Sequence, residues 1–104
     1  MVEYIRKKVD SIGKKYNLVS IYFYGSHYIS DTLPENTRFQ FAFSFDDSST
    51  GTSWHYGEIY QSFADIFGYD VILIELDWLQ EQRNYTTQHE YRQFKKGNIL
   101  LYSR

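Results

Sequence analysis

The 104-residue sequence contains no cysteine and a single proline. Without cysteine the chain cannot form a disulfide scaffold, a cysteine-ligated zinc site or a thiol nucleophile. No hydrophobic run approaches the roughly 18 residues of a membrane-spanning helix, and the first residues do not begin an apolar signal sequence, so we expect a cytoplasmic protein. Because 11 basic and 13 acidic residues leave a net charge of −2, nucleic acid is not expected as a direct partner.

Aromatic residues, by contrast, make up 20% of the chain, with 11 Tyr, 8 Phe and 2 Trp. Each buried ring removes roughly 150–250 Å² from water, so even a short chain of this composition can build a substantial core. We therefore expect one domain over residues 1–104, with no linker and no internal repeat.

Hydrophobic periodicity predicts alternating helices and strands. The predicted helices cover residues 2–16, residues 59–67 before a stop at Gly68, and a segment that begins at a Thr87/Glu90 capping box and ends at Gly97. The predicted strands cover residues 18–24, 38–45, 71–76 and 99–102. This order predicts an α/β or α+β domain in which a mixed sheet of about four strands packs against three to four helices.

The strand over residues 38–45 alternates between phenylalanine and other residues. One face carries Phe39, Phe41, Phe43 and Phe45, and the other carries Arg38, Gln40, Ala42 and Ser44. Four phenylalanines on one face belong in a core, so we expect the opposite face to be open.

The segment Tyr22-Phe23-Tyr24-Gly25-Ser26, followed by a loop and a second strand, resembles the start of the minimal nucleotidyltransferases of the DNA polymerase β superfamily. That family includes antitoxins paired with HEPN ribonucleases, and its pattern is a strand, Gly-Ser, a spacer, Asp-x-Asp on the next strand and a third Asp on a later one. The resemblance runs from about Leu18 to the end and includes FAFSFDD at residues 41–47, GYDVILIEL at residues 68–76 and YRQFKKGNILLYSR at residues 91–104. In the family, carboxylates two residues apart on a strand point the same way and, with the third, hold Mg²⁺ against nucleotide phosphates.

The resemblance assigns the three metal-binding aspartate positions to Arg38, Gln40 and Ile72, once one extra loop residue is allowed. A strict count assigns the first two to Thr37 and Phe39, which would turn the four phenylalanines toward the active site. Mg²⁺ prefers anionic oxygens, so a cation, an amide and an alkyl group at these positions imply that no catalytic residue and no metal site is intact.

Nucleotide binding by this resemblance would fall to Gly25 and Ser26, where a backbone without Cβ and a hydroxyl allow close approach of a triphosphate. Arg38 is a further candidate, since a guanidinium could contact a nucleotide phosphate or a partner's carboxylate. His27, next to Ser26, lacks a third group to orient it and does not complete a triad.

The resemblance implies a catalytically degenerate nucleotidyltransferase that acts as a binding module, with a HEPN-type ribonuclease toxin as its partner and no cofactor. One alternative is an active enzyme that uses Mg²⁺ to transfer a nucleoside monophosphate from a nucleoside triphosphate, through rearranged acids such as Asp31, Asp46 or Asp47. Another is a nucleotide-binding sensor that has lost catalysis. A homodimer also stays open, and so does the role of Trp54-His55-Tyr56, which predicts either an exposed aromatic surface or local packing at a helix start.

Overall fold

In a computed structural model of the protein, the structure describes residues 2–25, 39–45 and 56–104. The helices in these ranges are α1 (Val2–Lys15), α2 (Tyr56–Phe67), α3 (Leu76–Glu81) and α4 (Tyr85–Lys96). The strands are β1 (Ser20–Tyr24), β2 (Gln40–Ser44), β3 (Ile72–Glu75) and β4 (Asn98–Ser103). The described chain is therefore a mixed sheet of four strands with four helices, which confirms the predicted fold class.

The four strands lie in the order β3-β2-β1-β4. β1 is antiparallel to both β2 and β4, whereas β2 and β3 are parallel. In this register Gln40 pairs with Tyr24 on one side and with Ile72 on the other. The carboxyl end of β1 therefore lies beside the first residue of β2, which in turn lies beside the first residue of β3.

One face of the sheet holds the larger part of the core, under α1 and α2. Phe41 and Phe43 are buried there, and Phe39 and Phe45 pack against the same cluster, as the alternation predicts. The ring of Phe41 lies 4.9 Å from those of Phe63 and Phe67 in α2, measured between centroids. The other buried members of this cluster are Ile5, Val9, Ile12, Leu18, Ile21, Phe23, Ile59, Ala64, Val71, Leu73, Leu101 and Tyr102.

The opposite face was expected to be open, and in the described residues this prediction is wrong. Ala42 is buried and Gln40 is only 8% exposed, because α3 and α4 cover this side. Their apolar side chains Leu76, Leu79, Tyr91 and Phe94 pack with Tyr22, Tyr24, Ala42 and Ile74 into a second cluster. α3 was not foreseen because Leu76 continues the apolar run of β3 and a six-residue helix is too short to show a period. The sheet is thus sandwiched between two helical layers.

Two of the three predicted helix boundaries that involve glycine or a capping box are correct. α2 ends at Phe67 before Gly68, whose φ of +102° is the left-handed conformation that favours glycine, and α4 ends just before Gly97. The predicted Thr87/Glu90 capping box is wrong, because Asn84 is the N-cap and Thr87 is the third helical residue of a box between those two side chains. Glu90 is consequently free for another role. No helix in the described part of the chain combines the length and the apolar character needed to cross a membrane.

Candidate functional site

Two of the three predicted metal-ligand positions lie side by side at the start of β2 and β3. Gln40 and Ile72 are direct partners in the parallel pair, and paired residues in a sheet place their side chains on the same face. The third position, Arg38, lies outside the described residues, as do Ser26, His27 and the acids Asp31, Asp46 and Asp47. The structure therefore brings together an amide and an alkyl group where the resemblance places two carboxylates.

The Gln40 amide is occupied by contacts with α4. Its Nε2 donates one hydrogen bond to Glu90 Oε1 at 3.2 Å and one to Gln93 Oε1 at 2.8 Å. The Tyr24 hydroxyl donates to the same Glu90 oxygen at 3.2 Å. These four residues, Tyr24, Gln40, Glu90 and Gln93, form the polar cluster that joins α4 to the sheet.

Glu90, which the sequence analysis placed in a capping box, is the buried acid of the polar cluster. Its side chain is 5% exposed, so this carboxylate lies inside the protein and depends on the two donors for its stabilisation. The signal was present in the sequence, since Thr87, Glu90, Tyr91 and Phe94 recur at helical spacing and so place an acid in the buried stripe of α4. No group of three or more His, Asp or Glu residues that could hold a metal ion occurs within the described ranges.

Gly25 lies directly against the polar cluster. Its φ is +105°, and a Cβ added there would lie 2.1 Å from Gln40 Oε1. The resemblance explains this glycine by the approach of a triphosphate, whereas in the structure the close approach is made by a side chain of the protein itself. Internal packing is therefore a sufficient reason for glycine at this position.

Burial and the Glu90 carboxylate both raise the pKa of Tyr24. The unfolded chain ionises Tyr24 near the ordinary value of about 10, while the folded chain keeps it protonated to higher pH. The stability that Tyr24 contributes is therefore complete below pH 10 and is lost as the pH rises toward the folded-state pKa.

Replacing Tyr24 with phenylalanine should lower the free energy of unfolding at pH 7 by about 1–3 kcal/mol, because buried Glu90 loses a donor. The difference in the free energy of unfolding between the wild type and Tyr24→Phe should then decrease by about 1 kcal/mol between pH 10 and pH 11. The reason is that only the wild type loses the stability contributed by Tyr24. Urea unfolding at each pH measures both effects. The matched control is Tyr85→Phe, at an exposed position. If the stability difference between the wild type and Tyr24→Phe did not change with pH, the raised pKa of Tyr24 would be contradicted.

A second feature is a crevice of about 480 Å³ at the carboxyl ends of β2 and β3. Its wall is mainly apolar and includes the rings of Phe45, Tyr56 and Trp78, with Glu75 as a charged lining residue. The Tyr56 hydroxyl donates to the backbone carbonyl of Leu73 at 2.6 Å, so Tyr56 both packs on β3 and remains 41% exposed. Trp54 and His55, which were grouped with Tyr56 in the sequence, lie outside the described residues.

The crevice and the polar cluster lie at opposite ends of β2. Gln40 begins this strand and Ser44 ends it, a separation of about 13 Å along an extended chain. The crevice was not foreseen from the sequence, because its wall combines residues from two strands and three helices that are far apart in the chain.

Basic side chains of α4 line a depression of about 400 Å³ next to the polar cluster. They are His89, Arg92, Lys95 and Lys96, and Gln93 connects them to Gln40. Lys95 lies over the ring of Tyr91, with its Nζ 5.5 Å from the ring centroid. This is a positively charged surface at the end of β2 where Gln40 lies.

Comparisons of the chain with family models, with curated proteins and with solved structures found no match. The resemblance to minimal nucleotidyltransferases therefore rests on the quoted sequence motifs. The HEPN partner that it implies stays a prediction.

Proposed function

We propose that this protein is a non-enzymatic binding module, a degenerate nucleotidyltransferase-like domain that acts in the cytoplasm by contact with a HEPN-type ribonuclease. The observation that carries this proposal is the hydrogen bonding of the Gln40 side chain to α4. Its amide, at a position where the family has a metal-binding carboxylate, donates both of its hydrogen bonds to α4.

The neighbouring position supports the same conclusion, because Ile72 offers no oxygen to a metal ion. Glu90 is the acid of the polar cluster, and its Oε1 already accepts hydrogen bonds from Tyr24 and Gln40. Recruiting Glu90 to a metal ion would require α4 to give up its polar contacts with the sheet. Binding without catalysis requires no such rearrangement.

A label-transfer assay tests whether catalysis has been lost. The protein is incubated with radiolabelled ATP, CTP, GTP or UTP, with Mg²⁺ or Mn²⁺, and with a HEPN protein from the same host. We expect no label on either protein above a control without the module. Transfer that disappears in Asp46→Ala or Asp31→Ala would instead support the active-enzyme alternative.

Affinity capture from the native host, followed by mass spectrometry, tests the partner. We expect a HEPN-domain protein to be retained, and added module should then inhibit the ribonuclease activity of that protein without any nucleotide. Capture in which HEPN proteins are no more abundant than in a control with an unrelated bait would contradict the proposal.

The sensor alternative has one supporting observation, the basic depression beside Gln93. Titration calorimetry with ATP, with Lys95→Ala/Lys96→Ala as the comparison variant, addresses it. Heat that is lost in the variant would favour a sensor, and no heat at millimolar ATP would exclude one.

A further inference from the structure

The outer face of α4 carries positive charge that no acid balances within the described residues. Arg92, Lys95 and Lys96 are all exposed, whereas Glu90, the one acid of α4, is buried against the sheet. The three basic side chains take no part in the ion pairs between described residues, which are Arg6–Glu3, Lys14–Asp10 and Arg83–Glu81. The net charge of −2, which argued against nucleic acid as a partner, therefore averages over a local excess of positive charge.

Interaction with the helix dipole accounts for only part of this charge. Lys95 and Lys96 lie in the last turn of α4, where cations stabilise the negative end of a helix. Arg92 lies a turn earlier, and the effect of the dipole fades within the last turn. The Arg92 Nε donates to the backbone carbonyl of Gln88 at 3.4 Å, which leaves both terminal nitrogens of the guanidinium to contact a ligand. An anion at this face would thus meet donors that the described fold does not use.

The same face presents an aromatic ring. Tyr85, His89, Arg92 and Lys96 follow the i, i+4, i+7, i+11 spacing that places side chains on one side of a helix. Tyr85 is 77% exposed, and its ring lies nearly parallel to that of His89, with 10° between the planes and 6.4 Å between the centroids. A ring so exposed contributes little to the core, and its face is a platform on which a nucleic acid base stacks. With a rise of about 1.5 Å per residue, Tyr85 and Lys96 lie about 16 Å apart along the helix.

Positive charge next to an exposed ring matches the chemistry of a single-stranded nucleic acid, in which phosphates alternate with bases. We propose that the outer face of α4 binds such a strand, with one base on the Tyr85 ring and phosphates next to Arg92, Lys95 and Lys96. A duplex fits less well, because its bases are stacked inside and offer no face to the ring. A lipid surface also fits less well, because the exposed residues of α4 include no Leu, Ile or Val to insert. This binding function does not depend on the proposed HEPN partner.

Fluorescence anisotropy of labelled oligouridine RNA and oligothymidine DNA, titrated with the full chain at pH 7, tests the proposal. Both strands should bind with similar affinity, because the face offers contacts to phosphates and to base rings, which RNA and DNA share. Three phosphate contacts on a single strand predict a slope of about −2 for the logarithm of the affinity against the logarithm of the salt concentration. Affinity should therefore fall roughly 20-fold between about 50 and about 200 mM NaCl.

Charge variants of matched size separate a site from general electrostatics. Arg92→Gln/Lys96→Gln should weaken binding at least about tenfold at low salt and reduce the salt slope to about −0.7, because one phosphate contact is left. Lys7→Gln/Lys8→Gln removes the same charge from exposed positions of α1 and should weaken binding by no more than about twofold.

The aromatic contact has a separate readout. Tyr85→Ala should weaken binding about fivefold or more without changing the salt slope, because stacking releases no counterions. Tyr4→Ala, at an exposed position of α1, is the matched control and should leave the affinity unchanged. All of these positions are exposed, so circular dichroism should show the same fold in every variant.

The inference is overturned if neither strand binds at low salt, if the α1 and α4 charge variants have equal effects, or if Tyr85→Ala and Tyr4→Ala have equal effects. Double-stranded RNA that binds as tightly as the single strands would overturn it as well. So would ATP that binds as tightly, since the face would then be that of a nucleotide sensor. Each of these outcomes leaves the proposed function unaffected, because these assays use the protein alone and that proposal is tested by label transfer and by capture of a HEPN protein.

Discussion

Replacing Phe41 with alanine is expected to lower the free energy of unfolding by about 3–5 kcal/mol. Phe41 is fully buried, and its ring contacts those of Phe63 and Phe67 at 4.9 Å and that of Phe23 at 5.5 Å. Alanine would remove the transfer free energy of the ring and leave a cavity between the sheet and α2, where three large side chains cannot all move inward.

Urea unfolding followed by circular dichroism measures this loss. Phe41→Leu, which keeps most of the volume, should be much less destabilising, and exposed Tyr85→Ala should change stability by no more than about 0.5 kcal/mol. If Phe41→Ala and Tyr85→Ala had similar effects, Phe41 would not lie in the core and the face assignment of β2 would be wrong.

Replacing Gly25 with alanine is expected to lower the free energy of unfolding by about 2–4 kcal/mol. A residue with Cβ is strained at a φ of +105°, and the added methyl group would displace the Gln40 amide from its bonds with Glu90 and Gln93. The second effect leaves the Glu90 carboxylate buried with one donor fewer.

Two further variants separate the causes of this loss. Gly57→Ala, in α2, is the glycine control, because nothing lies within 4 Å of an added Cβ there. In a Gln40→Ala background, Gly25→Ala should lower the free energy of unfolding by a smaller amount. The added methyl group then no longer contacts the amide, and only the backbone strain should remain. Full stability in Gly25→Ala would contradict both the backbone strain and the close packing of Gly25 against the Gln40 amide.

Much of the fold could be predicted from local pattern. The alternation of phenylalanine in β2 identified the core face, and Gly68 and Gly97 marked the ends of two helices. α3 could not be predicted, because its apolar residues Leu76 and Leu79 form a helical face only once β3 has ended at Glu75. Short helices depend on packing more than on propensity, and packing is a property of the assembled chain.

The face of β2 on which Gln40 lies could be predicted from the sequence, whereas the surroundings of Gln40 could not. Strand parity placed Gln40 on the face opposite Phe41, and the pairing of Gln40 with Ile72 puts the two predicted positions side by side. What the pattern could not supply was the partner of Gln40, because Glu90 lies 50 residues away in the chain and meets Gln40 only through the docking of α4. The expectation of an open face failed for this reason.

By itself the sequence determined the composition of the core and the strand face that packs on it. Tertiary structure alone decided that α3 and α4 cover the second face, that Glu90 is buried, and that a mainly apolar crevice forms beyond β2 and β3. The physical reason is the separation along the chain of the residues that interact. Side-chain periodicity reflects the backbone geometry of neighbouring residues, whereas burial and hydrogen-bond partners depend on contacts between segments that are distant in the chain.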